Sequence, residues 1–139
     1  MDWQDKLSEA GYRLSQPRKI VMAVLNAARV PLAPLAVFKK AQEDGYQLGM
    51  VSVYRTLNLL ASVGLVTHVY FDDGNQGYVL ASGGHFHHIV CKTCEQVIEF
   101  AGAEDLSALV ARVQQETGFH VSDHLLQFYG LCPDCQKAQ

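Results

Sequence analysis

Two short motifs concentrate the chemistry of this chain: Cys91-Lys-Thr-Cys94, preceded by the histidine run of "GGHFHHIVCKTC", and Cys132-Pro-Asp-Cys135. A C-x-x-C pair at a turn lets both thiolates converge on one ion, and two such pairs brought together complete a tetrahedral S4 shell, the arrangement preferred by structural zinc. Redox dithiols or a disulfide staple use the same residues. A thioredoxin-like site wants its C-x-x-C at the start of a helix in a β-α-β setting, whereas the first pair here lies between strand-like runs and the second close to the C-terminus. A zinc deaminase lacks its H-x-E partner here, and Leu131 rather than proline precedes Cys132. The leading "MDWQDKLSEAG" is acidic and polar, unlike a signal peptide, and no apolar run approaches the roughly 18 residues that span a bilayer. The expected setting is a reducing cytoplasm with no membrane partner, where paired cysteines point to metal or redox chemistry.

If the cysteines saturate one zinc, the histidines are left for a second task. Side chains alternate along a strand, so His85 and His87 share one face while Phe86 and His88 share the other. For the first face we expect His124, at the start of a final strand "HLLQFYGLC", and Glu104 or Asp105, at the opening of the intervening helix. Three imidazoles and a carboxylate suit zinc, iron(II), manganese or nickel, held more exchangeably than by four thiolates. For the second face, pairing Cys91 with Gln96 across the turn sets His88 opposite Glu99, half of a metal site or an ordinary cross-strand pair. His68 is a candidate third ligand there. Taken singly, His68 and His120 read as solvated or hydrogen-bonded side chains.

These residues need elements to position them, and 139 residues, 49% of them hydrophobic, are enough for a core. "LSQPRKIVMAVLNAA" offers Ser15 as an N-cap, Pro17 in the first turn, and Ile20, Val21, Val24, Leu25 and Ala28 at helical spacing. "VPLAPLAVFKKAQEDG" predicts a helix from Pro34 with Leu35, Phe38 and Ala41 on one side, stopped by Gly45. "GMVSVYRTLNLLASVG" predicts a third, carrying Val53, Leu57 and Leu60 and stopped by Gly64. "LVTHVYFDD", "GNQG" and "YVLA" then read as a β-hairpin. Three helices followed by a hairpin is the order of a winged helix-turn-helix, or of a small α+β domain with no DNA role. "ASGG" at 81–84 is a small-residue break. Beyond it come strands around Cys91–Cys94, an amphipathic helix closed by Gly118, and the final strand.

Charge divides along the same line. Residues 1–66 hold eight Lys/Arg against five Asp/Glu, and residues 67–139 hold three against nine, so the first half is the one suited to phosphates.

Taken in order, "GYRLSQPRKIVMAVL", "VSVYRTLNLLASVGLV", the histidine run before "CKTCEQVIEF", and "TGFHVSDHLLQFYGLCPDC" resemble the ferric uptake regulator (Fur) family over nearly the whole chain. The resemblance implies an α+β protein: a winged-helix DNA-binding domain at 1–81, a hinge at 82–84, and a small α/β metal-binding dimerisation domain at 85–139. It implies a structural Zn2+ on Cys91, Cys94, Cys132 and Cys135, and a second, regulatory divalent metal, Fe2+ or Zn2+ with Mn2+ also in range. It further implies a homodimer on a palindromic double-stranded operator, usually acting as a repressor of metal-homeostasis genes. "SVYRTLNLL" matches the family's recognition helix, which turns Ser52, Tyr54, Arg55 and Thr56 toward the groove. Arg13 matches a basic residue that enters the minor groove, and Arg18 is placed to join it there or on a phosphate.

The chain also departs from the family pattern. Its hinge-proximal metal site draws a histidine from the segment before the third helix, where "RVPLAP" has none, and a ligand near the end of the wing, where Val79 and Leu80 stand. Phe86 replaces another histidine, leaving His88 and Glu99, with His68 as a candidate recruit. At the other site His85, His87 and His124 match, while Ser107 stands near the carboxylate position, so Glu104 or Asp105 substitutes. A thiol and zinc redox switch is the alternative reading. A zinc hydrolase is a lesser one, needing an open coordination position beside a base such as Glu99 or Glu104. The expectation is a regulator, not an enzyme.

Overall fold

The computed structural model describes residues 2–28, 30–81, 86–102 and 106–138, and the chain divides into two compact units, Met1–Ser82 and Gly83–Gln139. The expected hinge at 82–84 lies outside the described residues.

The first unit opens with a helix that the sequence reading did not anticipate, α1 (Trp3–Glu9). Seven residues make a marginal helix alone, so its stability comes from tertiary packing. Leu7 is completely buried, and Gly11 (φ +91°) reverses the chain while the Tyr12 N–H donates to the Leu7 carbonyl at 3.1 Å. α2 (Gln16–Ala28) begins just after Ser15, whose carbonyl accepts from the Lys19 N–H, and it buries Ile20, Val21, Met22, Val24 and Leu25.

α3 (Pro34–Glu43) starts at its proline, but its buried face is Val37 and Ala41, with Leu35 51% exposed. The expected Leu35 face is therefore corrected: two residues apart on a helix is a turn of about 200°, so Leu35 and Val37 cannot share a side. α4 (Met50–Ser62) buries Val53, Leu57 and Leu60 completely. Gly45 and Gly64 end α3 and α4 in the left-handed region that a glycine adopts without Cβ strain. The Tyr46 N–H then reaches Ala41 and the Leu65 N–H reaches Leu60, the closing bond of a Schellman turn.

β1 (Val66–Tyr70) and β2 (Gln76–Leu80) pair antiparallel from Val66↔Leu80 to Tyr70↔Gln76. Leu32 adds a bridge to Tyr78, each N–H donating to the other's carbonyl. One continuous core fills this unit, drawn from α1 to α4 and the hairpin. The architecture is a winged helix with an extra N-terminal helix, so the groove-facing third helix of the sequence reading is α4.

The second unit holds β3 (Phe86–Cys91), β4 (Val97–Ala101), α5 (Ser107–Thr117), β5 (Gln127–Gly130) and α6 (Pro133–Lys137). Its sheet runs β4-β3-β5, antiparallel between β3 and β4 and parallel between β3 and β5. A parallel pair needs a long crossover, and α5 lies within it. α5 ends at Gly118 (φ +76°), as its sequence indicates, but none of its described side chains is buried. The last strand is shorter than expected: His124 precedes β5 rather than beginning it, and the residues after Leu131 form α6, which Pro133 initiates. No described helix is long and apolar enough to cross a membrane.

Gly77 shows how tightly β2 is packed within the first unit: a Cβ there would lie 2.9 Å from the Pro31 Cβ and 3.1 Å from Phe71. Gly77→Ala is expected to cost about 1–3 kcal/mol by overpacking, read as a lower midpoint in urea unfolding with an unchanged slope.

Candidate metal centre and nucleic-acid face

The cysteine site is built from chain turns. Cys91 closes β3, where its N–H donates to the Gln96 carbonyl at 2.9 Å, and the Lys92 N–H donates to Gly130, tying the turn to β5. Cys94 sits in that turn, and Glu95 completes it at φ +65°. Cys132 is the N-cap of α6, its sulfur accepting from the Cys135 N–H at 3.4 Å, while its own N–H donates to the Cys91 sulfur at 3.4 Å. The four Sγ atoms lie within 4.8 Å of one another, with Cys94 and Cys132 separated by 3.8 Å. A tetrahedron of thiolates at the usual Zn–S distance of about 2.3 Å has edges of about 3.8 Å, so this donor set fits zinc.

The protonation pattern agrees. Backbone N–H groups, first that of Cys94 and then that of Cys132, hold the Cys91 thiol down at about 6, whereas the sulfurs of Cys132 and Cys91 push Cys135 up to about 12. Four crowded sulfurs resist carrying four negative charges, and a dication relieves that conflict.

On β3 the two histidines diverge. His87, 5% exposed, packs its ring 5.8 Å from Phe100 and 5.9 Å from His124 between centroids, so the structure brings His87 and His124 to one face. The His124 N–H donates to the Asp123 carboxylate at 2.8 Å. His85, Glu104 and Asp105 lie outside the described residues. His88 is paired in register with Glu99, its Nε2 3.6 Å from the carboxylate. Burial pushes the His88 imidazole below its ordinary value, with Glu99 pulling the other way.

His68 belongs to the first unit. Its Nδ1 donates to the Gln76 side-chain oxygen at 3.1 Å, and its ring lies 4.4 Å from Tyr78 and 6.0 Å from Tyr70. These contacts make it part of the aromatic surface of the hairpin.

Along α4, Tyr54 and Arg55 are exposed and Ser52 is half-buried. Thr56 is corrected: at 7% exposure it belongs to the core-facing side with Val53, Leu57 and Leu60. Helical spacing places it one turn from Val53 and four residues from Leu60, on the apolar stripe of α4. Tyr54 lines a groove shared with Pro34, Gln76 and Tyr78. Arg13 is exposed between α1 and α2. Arg18, half-buried, donates from Nη1 to the Arg13 carbonyl and lies over the Tyr12 ring. Sequence reasoning missed Tyr12, although an aromatic side chain beside one arginine and near another is a recognisable stacking signal.

A winged helix followed by a small mixed sheet bearing an S4 cluster defines a regulator architecture with a metal-bearing second domain. The model of the Ferric uptake regulator family matches residues 9–129. The ferric uptake regulation protein of Legionella pneumophila is 34% identical over 137 residues, covering 98% of this chain and all of that one. The ferric uptake regulator from Pseudomonas aeruginosa, solved with manganese, superposes with a TM-score of 0.69 at 31% identity, covering 96% of this chain and 99% of that one. A zinc uptake regulator solved with zinc and DNA shares the fold, with a TM-score of 0.77 at 21% identity over 96% of this chain and 90% of that one. The chain belongs to the ferric uptake regulator family, and is a metal-responsive transcriptional regulator.

Native mass spectrometry is expected to find one zinc per chain with four unmodified thiols. Cys94→Ser and Cys132→Ser should each lose it, and chelation of the parent should lower the melting temperature of the second unit by more than about 10 °C.

Proposed function

We propose that this chain is a cytoplasmic, homodimeric repressor, without catalytic activity, that binds a palindromic DNA operator when a divalent metal occupies a histidine site distinct from the structural zinc. The observation that carries this reading is the convergence of His87 and His124 on one face of the sheet whose β3 ends at the cysteine cluster. Four thiolates close the shell of a structural zinc, so an exchangeable ion needs other donors. His85, His87 and His124, with Glu104 or Asp105, are those donors in this proposal, and iron(II) or zinc is the sensed metal, with manganese a third candidate. His88 and Glu99, paired across β3 and β4, are the donors of a second candidate site in this proposal.

Support for the dimer comes from what the second unit leaves uncovered. Ile89, Ile98 and Phe128 are exposed on the sheet, Leu109 and Val113 are exposed one turn apart on α5, and the outer edge of β5 is unpaired within the described chain. Apolar surface and an open strand edge on one small unit mark an association face. A twofold dimer presents two recognition helices to two half-sites, which accounts for a palindrome.

In the first domain, 1–81, Tyr54 and Arg55 with Ser52 read the major groove from α4, and Arg13 reaches the minor groove. The hinge at 82–84 joins it to the metal-binding domain at 85–139. Metal acts by linkage: it favours the DNA-competent arrangement by its differential affinity and no more.

The test is DNA binding by the zinc-containing protein, titrated separately with iron(II), manganese and zinc, beside His87→Ala and His124→Ala. One metal is expected to tighten binding by about 5–150-fold, the usual range of such coupling. Both variants should lose that gain while keeping the structural zinc. Metal-independent binding, or a normal response in both variants, would overturn the assignment and move attention to His88 and Glu99.

A further inference from the structure

The segment joining α1 to α2 is pinned at three points. Gly11 turns the chain and the Tyr12 N–H is held by the Leu7 carbonyl; at the far end the Ser15 carbonyl accepts from Lys19. Between them, Arg18 reaches back from the first turn of α2, donating from Nη1 to the Arg13 carbonyl at 2.6 Å while its guanidinium carbon lies 5.5 Å from the Tyr12 ring centroid. One guanidinium thereby fixes both the backbone of Arg13 and the ring beside it. Arg13 itself remains exposed.

A planar guanidinium can donate along its edge and stack through its face at the same time, whereas an ammonium cannot reproduce both. A loop already ordered in the free protein loses less conformational entropy when a charged side chain on it enters a groove. We infer that Arg18 is a positioning residue: through the Arg13 carbonyl and the Tyr12 ring it sets the arm that runs from Tyr12 to Ser15, and it acts on DNA through Arg13 rather than by contact of its own. This inference rests on the DNA-binding reading above.

The two roles for Arg18 differ in ways that substitution can read. A direct phosphate contact tolerates lysine and contributes its own step to the salt dependence of binding, whereas a positioning role does neither. The experiment selects duplexes from a randomised library with the metal-loaded parent, then measures anisotropy on the selected duplex for Arg13→Ala, Arg18→Lys, Arg18→Gln and Arg13→Ala/Arg18→Lys, alongside thermal melting of each. Arg18→Lys and Arg18→Gln should each weaken binding by about tenfold. The double variant should bind no worse than Arg13→Ala alone, and the melting temperatures should stay at the parental value.

Parental affinity in Arg18→Lys, or losses that multiply in the double variant, would overturn the inference in favour of direct contact. Melting temperatures that fall together with affinity would overturn it in favour of a general structural role. A parent that selects no duplex would overturn the DNA-binding reading itself, which is a distinct outcome.

Discussion

The crowding of four sulfurs at the end of β3 is the constraint on which the second unit depends. Among its described residues only His87, His88, Val90 and Cys91 are buried, too few for a conventional core. What ties the β3–β4 turn to β5 and α6 is the cysteine cluster and the few backbone bonds around it. A small domain with so little buried apolar surface relies on a metal, a partner or both. The first unit has the opposite character, with a continuous apolar core that needs no ion.

That asymmetry fits the proposed division of labour. A unit held by its own core offers a fixed frame for the proposed DNA contacts of Tyr54, Arg55 and Arg13, while the thin unit, with few buried residues, carries the proposed sensory site. In that reading chemistry would separate the structural and sensory ions: soft thiolates close one shell, and imidazoles with a carboxylate would leave the other exchangeable. In the proposed reading, metal sensing and DNA reading reside in different units, and coupling between them is a matter of linkage.

Much of this is legible in the sequence. The two C-x-x-C pairs announce their ion because ligand spacing at turns is a local property, and Gly45, Gly64 and Gly118 mark helix ends because each adopts a conformation that favours glycine. The cross-strand pairing of His88 with Glu99 follows from counting across the turn. What escapes the sequence depends on tertiary context. α1 is too short to show a pattern, and it owes its existence to the burial of Leu7. The inward side of α3 is ambiguous because Leu35 and Val37 are both apolar and only packing chooses between them. Family correspondence turns Thr56 toward the groove, yet it faces the core. α6 is a single short helix that proline and an N-capping cysteine create together.

The measurement that bears most directly on the central claim is the affinity of the sensory metal, determined on zinc-containing protein with and without saturating operator DNA. Linkage requires reciprocity: the factor by which metal tightens DNA binding must equal the factor by which DNA tightens metal binding. Equal factors are expected, both abolished in His87→Ala. A metal affinity indifferent to DNA would contradict the proposed linkage, because the ion would then not distinguish the DNA-competent arrangement from any other.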